Sequence, residues 1–261
     1  MDSSITRVDY DRVAAEYDQR YAARSHDGVR AALQSLIGKK QVGCVVEVGC
    51  GTGHWLRELA PLIKTGIGID PSVPMLLRAK ANGVTAQMIC GVAEHLPLVS
   101  RMADVVFCVH VLHHLRQPAA YLAEAMRILK PGGTFATIGL DPHDSEARWY
   151  LYEYFEGVRE SDQARYLPRE GIADLLRAAR LQNVAAREVE TVSSSWTGQK
   201  VFDDPFLKKS SACQLLLLSD DQYRAGLQRM RDAISEAETK QAELVFHTTQ
   251  KIFMVSGDVA R

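Results

Sequence analysis

"EVGCGTGHW", residues 47–55, sets Gly49, Gly51 and Gly53 at alternate positions. The apolar run "CVVEV" leads into it and the helix-like "HWLRELAPLI" leads out, so the glycines occupy a strand-to-helix turn. Glycine adopts positive φ without strain and lets a ligand come close to the backbone. The dinucleotide fingerprint G-x-G-x-x-G would need its third glycine where His54 stands. Glu47, two residues before Gly49, would repel a diphosphate; it suits a ligand bearing an amino group or a positive charge. Asp70 closes the next apolar run, "TGIGID", where a carboxylate can accept hydrogen bonds from both hydroxyls of a ribose.

Outward from this loop, short apolar runs alternate with helical patterns. "TGIGID", "TAQMICG", "ADVVFCVHVL", "GTFATIGL", "NVAAREVETV" and "LVFHTTQKIFMVSG" read as strands, making about seven with "CVVEVG". "VPMLLRAKAN", "PAAYLAEAMRIL" and "PREGIADLLRAARL" read as the intervening helices. The alternation predicts a Rossmann-like, doubly wound α/β sheet with helices on both faces. A single domain spans 1–261, with a helical N-terminal lid over 1–40 and a core over 41–141. Residues 8–24 are expected to be one helix. Residues 142–167 and 193–240 break the alternation, while 168–192 and 241–261 complete the sheet. The second excursion is too long for a structureless loop, so it is expected to be a helical cap between the last two strands.

The chain has 261 residues, a net charge of −1 and five cysteines without CxxC spacing. Its charge offers no field for nucleic acid or an anionic membrane. Cysteines in apolar runs favour a reduced, cytoplasmic setting. The N-terminal stretch has no apolar h-region of a signal peptide, and no run approaches the length of a membrane span.

Five stretches in order resemble the class I S-adenosylmethionine-dependent methyltransferases, specifically the ubiquinone/menaquinone-biosynthesis-type small-molecule branch. They are "VVEVGCGTG", "GIDPSVPMLLRA", "GVAEHLPL", "ADVVFCVHVLHHL" and "ILKPGGTFATIG". S-adenosylmethionine, with a cationic amino-acid end and a ribose, also meets the demands of Glu47 and Asp70. The resemblance implies an antiparallel last strand and a cofactor site of Glu47, Gly49, Cys50, Gly51, Gly53, Asp70, Pro71, Met75, Ala93, Glu94, Val109 and His110. Many members carry an acid where this chain has Val92, which leaves an adenine contact to Glu94 or a backbone carbonyl. The stretch "YDRVAAEYD" resembles a lid whose tyrosine closes over the cofactor, with Tyr17 the first candidate and Tyr10 the second.

The methyl acceptor is expected above the ends of the fourth and fifth strands. His113 and His114 follow the fourth strand, and imidazole has the reference pKa of a base at neutral pH. Asp141 and His143 follow the fifth strand and are expected to orient a histidine or hold the acceptor. Adjacent residues of a regular element point apart, so one histidine should face the cleft, with His113 favoured, and the other should pack inward. No metal cluster of ligand spacing is visible in the sequence. The leading function is methyl transfer to oxygen, nitrogen or carbon of an aromatic or partly apolar small molecule. An RNA methyltransferase and a non-catalytic binding protein are the alternatives, and a homodimer is compatible with either kind of chain.

Overall fold

The computed structural model describes residues 8–19, 21, 25–38 and 42–261; the remainder of the expected lid helix lies outside the described residues. Five strands build the centre: β1 (Cys44–Val48), β2 (Thr65–Asp70), β3 (Gln87–Cys90), β4 (Ala103–Val109) and β5 (Leu129–Leu140). They pair in parallel in the order β3-β2-β1-β4-β5. The order reverses between β1 and β4, which opens a crevice above their carboxyl ends. β1 is buried along its whole length and β4 nearly so, which is why both read as unbroken apolar runs.

The helices are α1 (Asp27–Gly38), α2 (His54–Leu59), α3 (Val73–Ala81), α4 (Pro118–Ile128), α5 (Tyr150–Tyr154), α6 (Val158–Arg165), α7 (Arg169–Ala178), α8 (Cys213–Leu216) and α9 (Asp220–Thr239). Alternation along the strands assigns each face its partners. Val46, Val48, Ile67 and Ile69 pack with Tyr121 and Ile128 of α4 and Leu176 of α7. Val45, Val105 and Phe107 pack on the opposite face with Leu33 and Ile37 of α1 and Trp55 of α2. The doubly wound architecture read from the sequence is therefore present.

Three strands finish the sheet. β8 (Val245–Asp258) runs antiparallel to β5, and β7 (Gln182–Thr197) runs antiparallel to β8 along its other edge. β6 (Arg148–Trp149) pairs with Thr248 and Thr249 on the edge that β8 shares with β5. The sheet thus has eight strands rather than about seven. β7 continues to Thr197, so the helical excursion begins at Gly198.

The excursion does not hang free. Val201, Leu207, Leu215, Met230 and Ile234 form a second core with Trp149, Tyr150, Phe155 and Phe246. Gly226 of α9 lies so close to Phe155 that a Cβ there would meet the ring at 2.2 Å. Residues 142–167 and the excursion therefore fold as one layer on the sheet's end.

The N-terminal segment differs from the expected helix. Its described residues form a 3-10 turn over Tyr10–Arg12, followed by turns through Asp18. Side chains that a helix would have used for solvation are drawn to the core instead. Asp18 accepts from Thr52 Oγ1 (2.5 Å) and Asn82 Nδ2 (2.8 Å), and Asp11 accepts from Ser72 Oγ (2.6 Å). Burial works against the Asp18 charge, yet these bonds and Arg78 hold its carboxyl below the usual range. No helix among the described residues is long and apolar enough to cross a membrane.

Candidate active site

The glycine loop folds as its composition requires, but for three different reasons. Gly49, Gly51 and Gly53 all have positive φ (70°, 51° and 72°). A Cβ on Gly49 would strike Val111 Cγ2 at 2.4 Å, and one on Gly53 would strike Val84 Cγ2 at 2.8 Å. On Gly51 it would meet no protein atom closer than Tyr17 Cε1, at 3.7 Å. Gly49 and Gly53 are thus glycines for packing, whereas Gly51 keeps open the space beneath the Tyr17 ring.

That space belongs to a cavity of about 580 Å³ over the carboxyl ends of β1, β2 and β4, ample for a nucleoside-sized ligand. Tyr17, Gly49, Gly51, Asp70, Pro71, Met75, Ala93, Glu94, Val109 and His110 all line it. Asp70 is held by backbone amides: its Oδ2 accepts from Gly51 N (2.8 Å) and its Oδ1 from Ser72 N (2.9 Å). A carboxylate oxygen accepts more than one hydrogen bond, so Asp70 is fixed and still able to receive ligand hydroxyls. His110, at the end of β4, has φ of 56°, a conformation uncommon outside glycine. Val92, like Glu94, lies on the wall.

Three expected cofactor residues do not reach the cavity wall. Glu47 is 1% exposed and lies near the end of β1, where the Leu56 backbone N–H of α2 favours its charge. Burial, and then the Asp70 charge, push its carboxyl well above the usual range, and its Oε2 has no hydrogen-bond partner. Cys50 is also buried, its thiol raised first by burial and then by Glu47 and Asp70. Its sulfur packs under β2, where a Cβ on Gly68 would meet Sγ at 2.8 Å. Gly53 is covered by Val84 and Ala79.

The acceptor end departs further from expectation. His113 and His114 occupy a 3-10 turn (Leu112–His114) rather than a regular element. Both line the same cavity, their ring centroids 3.9 Å apart. His113 is the more buried: it stacks on Tyr166 at 4.0 Å and its Nε2 is 3.7 Å from Cys213 Sγ. His114 Nε2 is 2.7 Å from Tyr10 Oη. Asp141 turns away, with Oδ1 accepting from His143 N and Oδ2 from Arg169 N (both 3.0 Å). It ties the β5 end to the start of α7 and orients neither histidine. His143 reaches the Tyr166 carbonyl with Nε2 at 3.0 Å.

Sequence reading missed Arg165 and Cys213. Arg165, on α6, lines the cavity with its side chain only 7% exposed. Two nearby arginines are placed elsewhere: Arg148 lies on β6 and Arg159 sits over the Tyr152 ring. Cys213 arrives from α8 and places its sulfur, with one nitrogen each of His113 and His114, within 4.8 Å of one another. Spacing along the chain gives no sign of that trio, because its third member comes from the excursion.

Comparison with known proteins agrees with this geometry. A methyltransferase-domain family matches residues 46–137. The chain is 28% identical to malonyl-[acyl-carrier protein] O-methyltransferase of Marinomonas sp., over 90% of this chain and 86% of that protein. It is 28% identical to ubiquinone biosynthesis O-methyltransferase of Cereibacter sphaeroides, over 73% of this chain and 77% of that one. Phosphoethanolamine N-methyltransferase 2 of Haemonchus contortus, solved with S-adenosyl-L-methionine, shares the fold with a TM-score of 0.60 at 14% identity. That match covers 96% of this chain and 57% of the other. The family match spans residues 46–137, from within β1 into β5, and over that span the chain has the class I S-adenosylmethionine-dependent methyltransferase domain.

Proposed function

We propose that this chain methylates an oxygen of a small, partly apolar molecule that enters between the histidine turn and the cap. The observation that carries the reading is a single cavity with Gly51 and Asp70 on one part of its wall and His113 and His114 on another. Two relatives matched over most of their length are O-methyltransferases by name, one of malonyl-[acyl-carrier protein] and one of ubiquinone biosynthesis, which supports oxygen over nitrogen or carbon. Bound S-adenosylmethionine supplies an already activated sulfonium methyl, so the chain's task is alignment, exclusion of water and removal of a proton.

The residues of the cavity divide these tasks among them. Asp70 accepts the ribose hydroxyls, and Gly51 leaves room for the ligand under Tyr17. Val109 and Met75 add apolar wall. His114 is the base: it is the less buried of the pair, and Tyr10 Oη fixes the orientation of its ring. A proton taken from an acceptor hydroxyl at one imidazole nitrogen leaves the other bonded to Tyr10. His113 is a packing residue held by Tyr166 and Cys213. The layer of residues 142–167 and 198–244 caps the acceptor and keeps it dry.

The test is incubation of the pure chain with methyl-labelled S-adenosylmethionine and a panel of hydroxylated and carboxylated small molecules. The reading expects release of S-adenosylhomocysteine and one labelled methyl on oxygen of a panel member. Methylation of nitrogen or carbon acceptors alone would overturn the choice of oxygen.

A further inference from the structure

Arg165 presents a feature that the cofactor does not explain. Its side chain is 7% exposed, yet it forms part of the cavity wall beside His113 and His114. Its Nε has no hydrogen-bond partner among the described residues. Nη2 donates to Asp162 Oδ1 at 2.6 Å, and Nη1 lies 4.0 Å from Cys213 Sγ, a weak contact. Burial opposes the guanidinium charge, but Cys213, Asp162 and Tyr166 more than offset this.

Asp162 does not consume the arginine. It is 0% exposed, and its other oxygen, Oδ2, accepts from Tyr152 Oη (2.8 Å) and Gln214 Nε2 (3.0 Å). Tyr152 and Asp162 come from the 142–167 segment and Gln214 from the excursion, so both parts of the cap converge on this carboxylate. Its function is to fix one edge of the guanidinium. A guanidinium has five N–H donors in a rigid plane, and among the described residues only one of them here has a strong acceptor. The ring of Tyr166 completes the seat, with the Arg165 Cζ 5.7 Å from its centroid.

The wall also divides by charge. Asp9, Asp11, Asp70 and Glu94 line it together with Arg116, Arg165, His113 and His114. Asp11 and Asp70 sit together, since both accept from Ser72. Arg165 and His113 group around Cys213, which touches both. A cationic cofactor belongs with the first group and an anion with the second.

We propose that Arg165 is the binding residue for a carboxylate on the methyl acceptor, and that the acceptor class is therefore small organic acids. The proposal rests on the methyl-transfer reading above. The planar fork of guanidinium matches the two oxygens of a carboxylate, and anchoring them beside His114 sets the acceptor's reach toward the methyl.

The test uses benzoate as probe and benzamide, of the same shape but neutral, as control. The side-chain Nε–Hε resonance of Arg165 is followed by NMR in the chain loaded with S-adenosylhomocysteine. The signal is assigned by its loss in Arg165→Lys, or by backbone-to-side-chain correlation should that variant unfold. Expected is a saturable shift with benzoate at millimolar or lower concentration and at least tenfold weaker response to benzamide. A resonance indifferent to benzoate, or equally responsive to both probes, overturns the proposal. Binding of S-adenosylhomocysteine is measured on the same sample. Its failure would refute the methyl-transfer reading separately, and the titration on the free chain would still decide whether Arg165 takes an anion.

Discussion

Replacing Gly51 and Gly49 by alanine separates a glycine kept for a ligand from one kept for the fold. Both have positive φ, and an alanine pays about 1–2 kcal/mol to adopt that region. For Gly51→Ala the cost stops there, because the nearest protein atom to the new methyl, Tyr17 Cε1, is 3.7 Å away. For Gly49→Ala the new methyl is 2.4 Å from Val111 Cγ2, and such overpacking adds about 1–3 kcal/mol. In a domain of this size each kcal/mol is roughly 2–4 °C in Tm. Gly51→Ala should therefore melt a few degrees lower and Gly49→Ala clearly lower still. Affinity for S-adenosylhomocysteine should run the other way for its share of the damage. The Gly51 methyl fills the space under Tyr17, so binding by the folded variant should fall at least tenfold. Thermal melts and calorimetric titration on both variants decide the matter. Wild-type affinity in Gly51→Ala would refute the argument that the ligand passes there.

Four further outcomes follow from the same geometry. Glu47 has a raised folded-state pKa, so its stabilising effect is complete below the unfolded value and lost as pH rises through the folded one; urea titrations should show the stability of Glu47→Gln relative to wild type improving from pH 5 to pH 8, and a pH-independent difference would contradict the burial argument. His114→Ala should lower turnover on an identified acceptor by roughly 10²-fold with S-adenosylhomocysteine affinity kept, whereas His113→Ala should chiefly lower Tm; the reverse pattern would exchange their roles. Gly226→Ala should destabilise the chain by about 1–3 kcal/mol through the Phe155 ring, without altering cofactor affinity in the folded protein; an unchanged Tm would mean that the cap is loosely packed. Turnover should survive EDTA, because the Arg165 guanidinium beside Cys213 disfavours a second cation among His113, His114 and Cys213; loss on chelation with recovery on added zinc would overturn this.

The sequence was most legible where function is contiguous. The glycine loop, Asp70 and the residues after β3 and β4 lie at strand ends, so recognising the strands places them in one crevice. Glu47 was expected to meet the ligand from its place just before the glycine loop, and the structure buries it behind the cavity wall. On a strand buried on both faces, parity directs it instead to the α2 amides. The histidine pair was misread through the assumption of a regular element, whereas a 3-10 turn brings both rings to one wall. Arg165, Cys213 and Gln214 were invisible for a different reason. They converge through the packing of two excursions, Arg165 lying 48 residues from Cys213 and Asp162 lying 52 from Gln214, and neither periodicity nor spacing reports such a meeting. The N-terminal segment looked helical by pattern, but its acids bond to Ser72, Thr52 and Asn82 of the core, and those tertiary bonds override local preference.

The proposed function requires that the cavity over β1, β2 and β4 hold S-adenosylmethionine through Asp70. Calorimetric titration of S-adenosylhomocysteine into wild type and Asp70→Ala tests it most directly. The prediction is one site per chain in the wild type, with a loss of about 2–3 kcal/mol in the variant as ligand hydroxyls lose a charged acceptor. The variant's fold is checked by its thermal melt. A wild-type chain that takes up no S-adenosylhomocysteine, or a folded Asp70→Ala that binds it as tightly as the wild type, would contradict the claim.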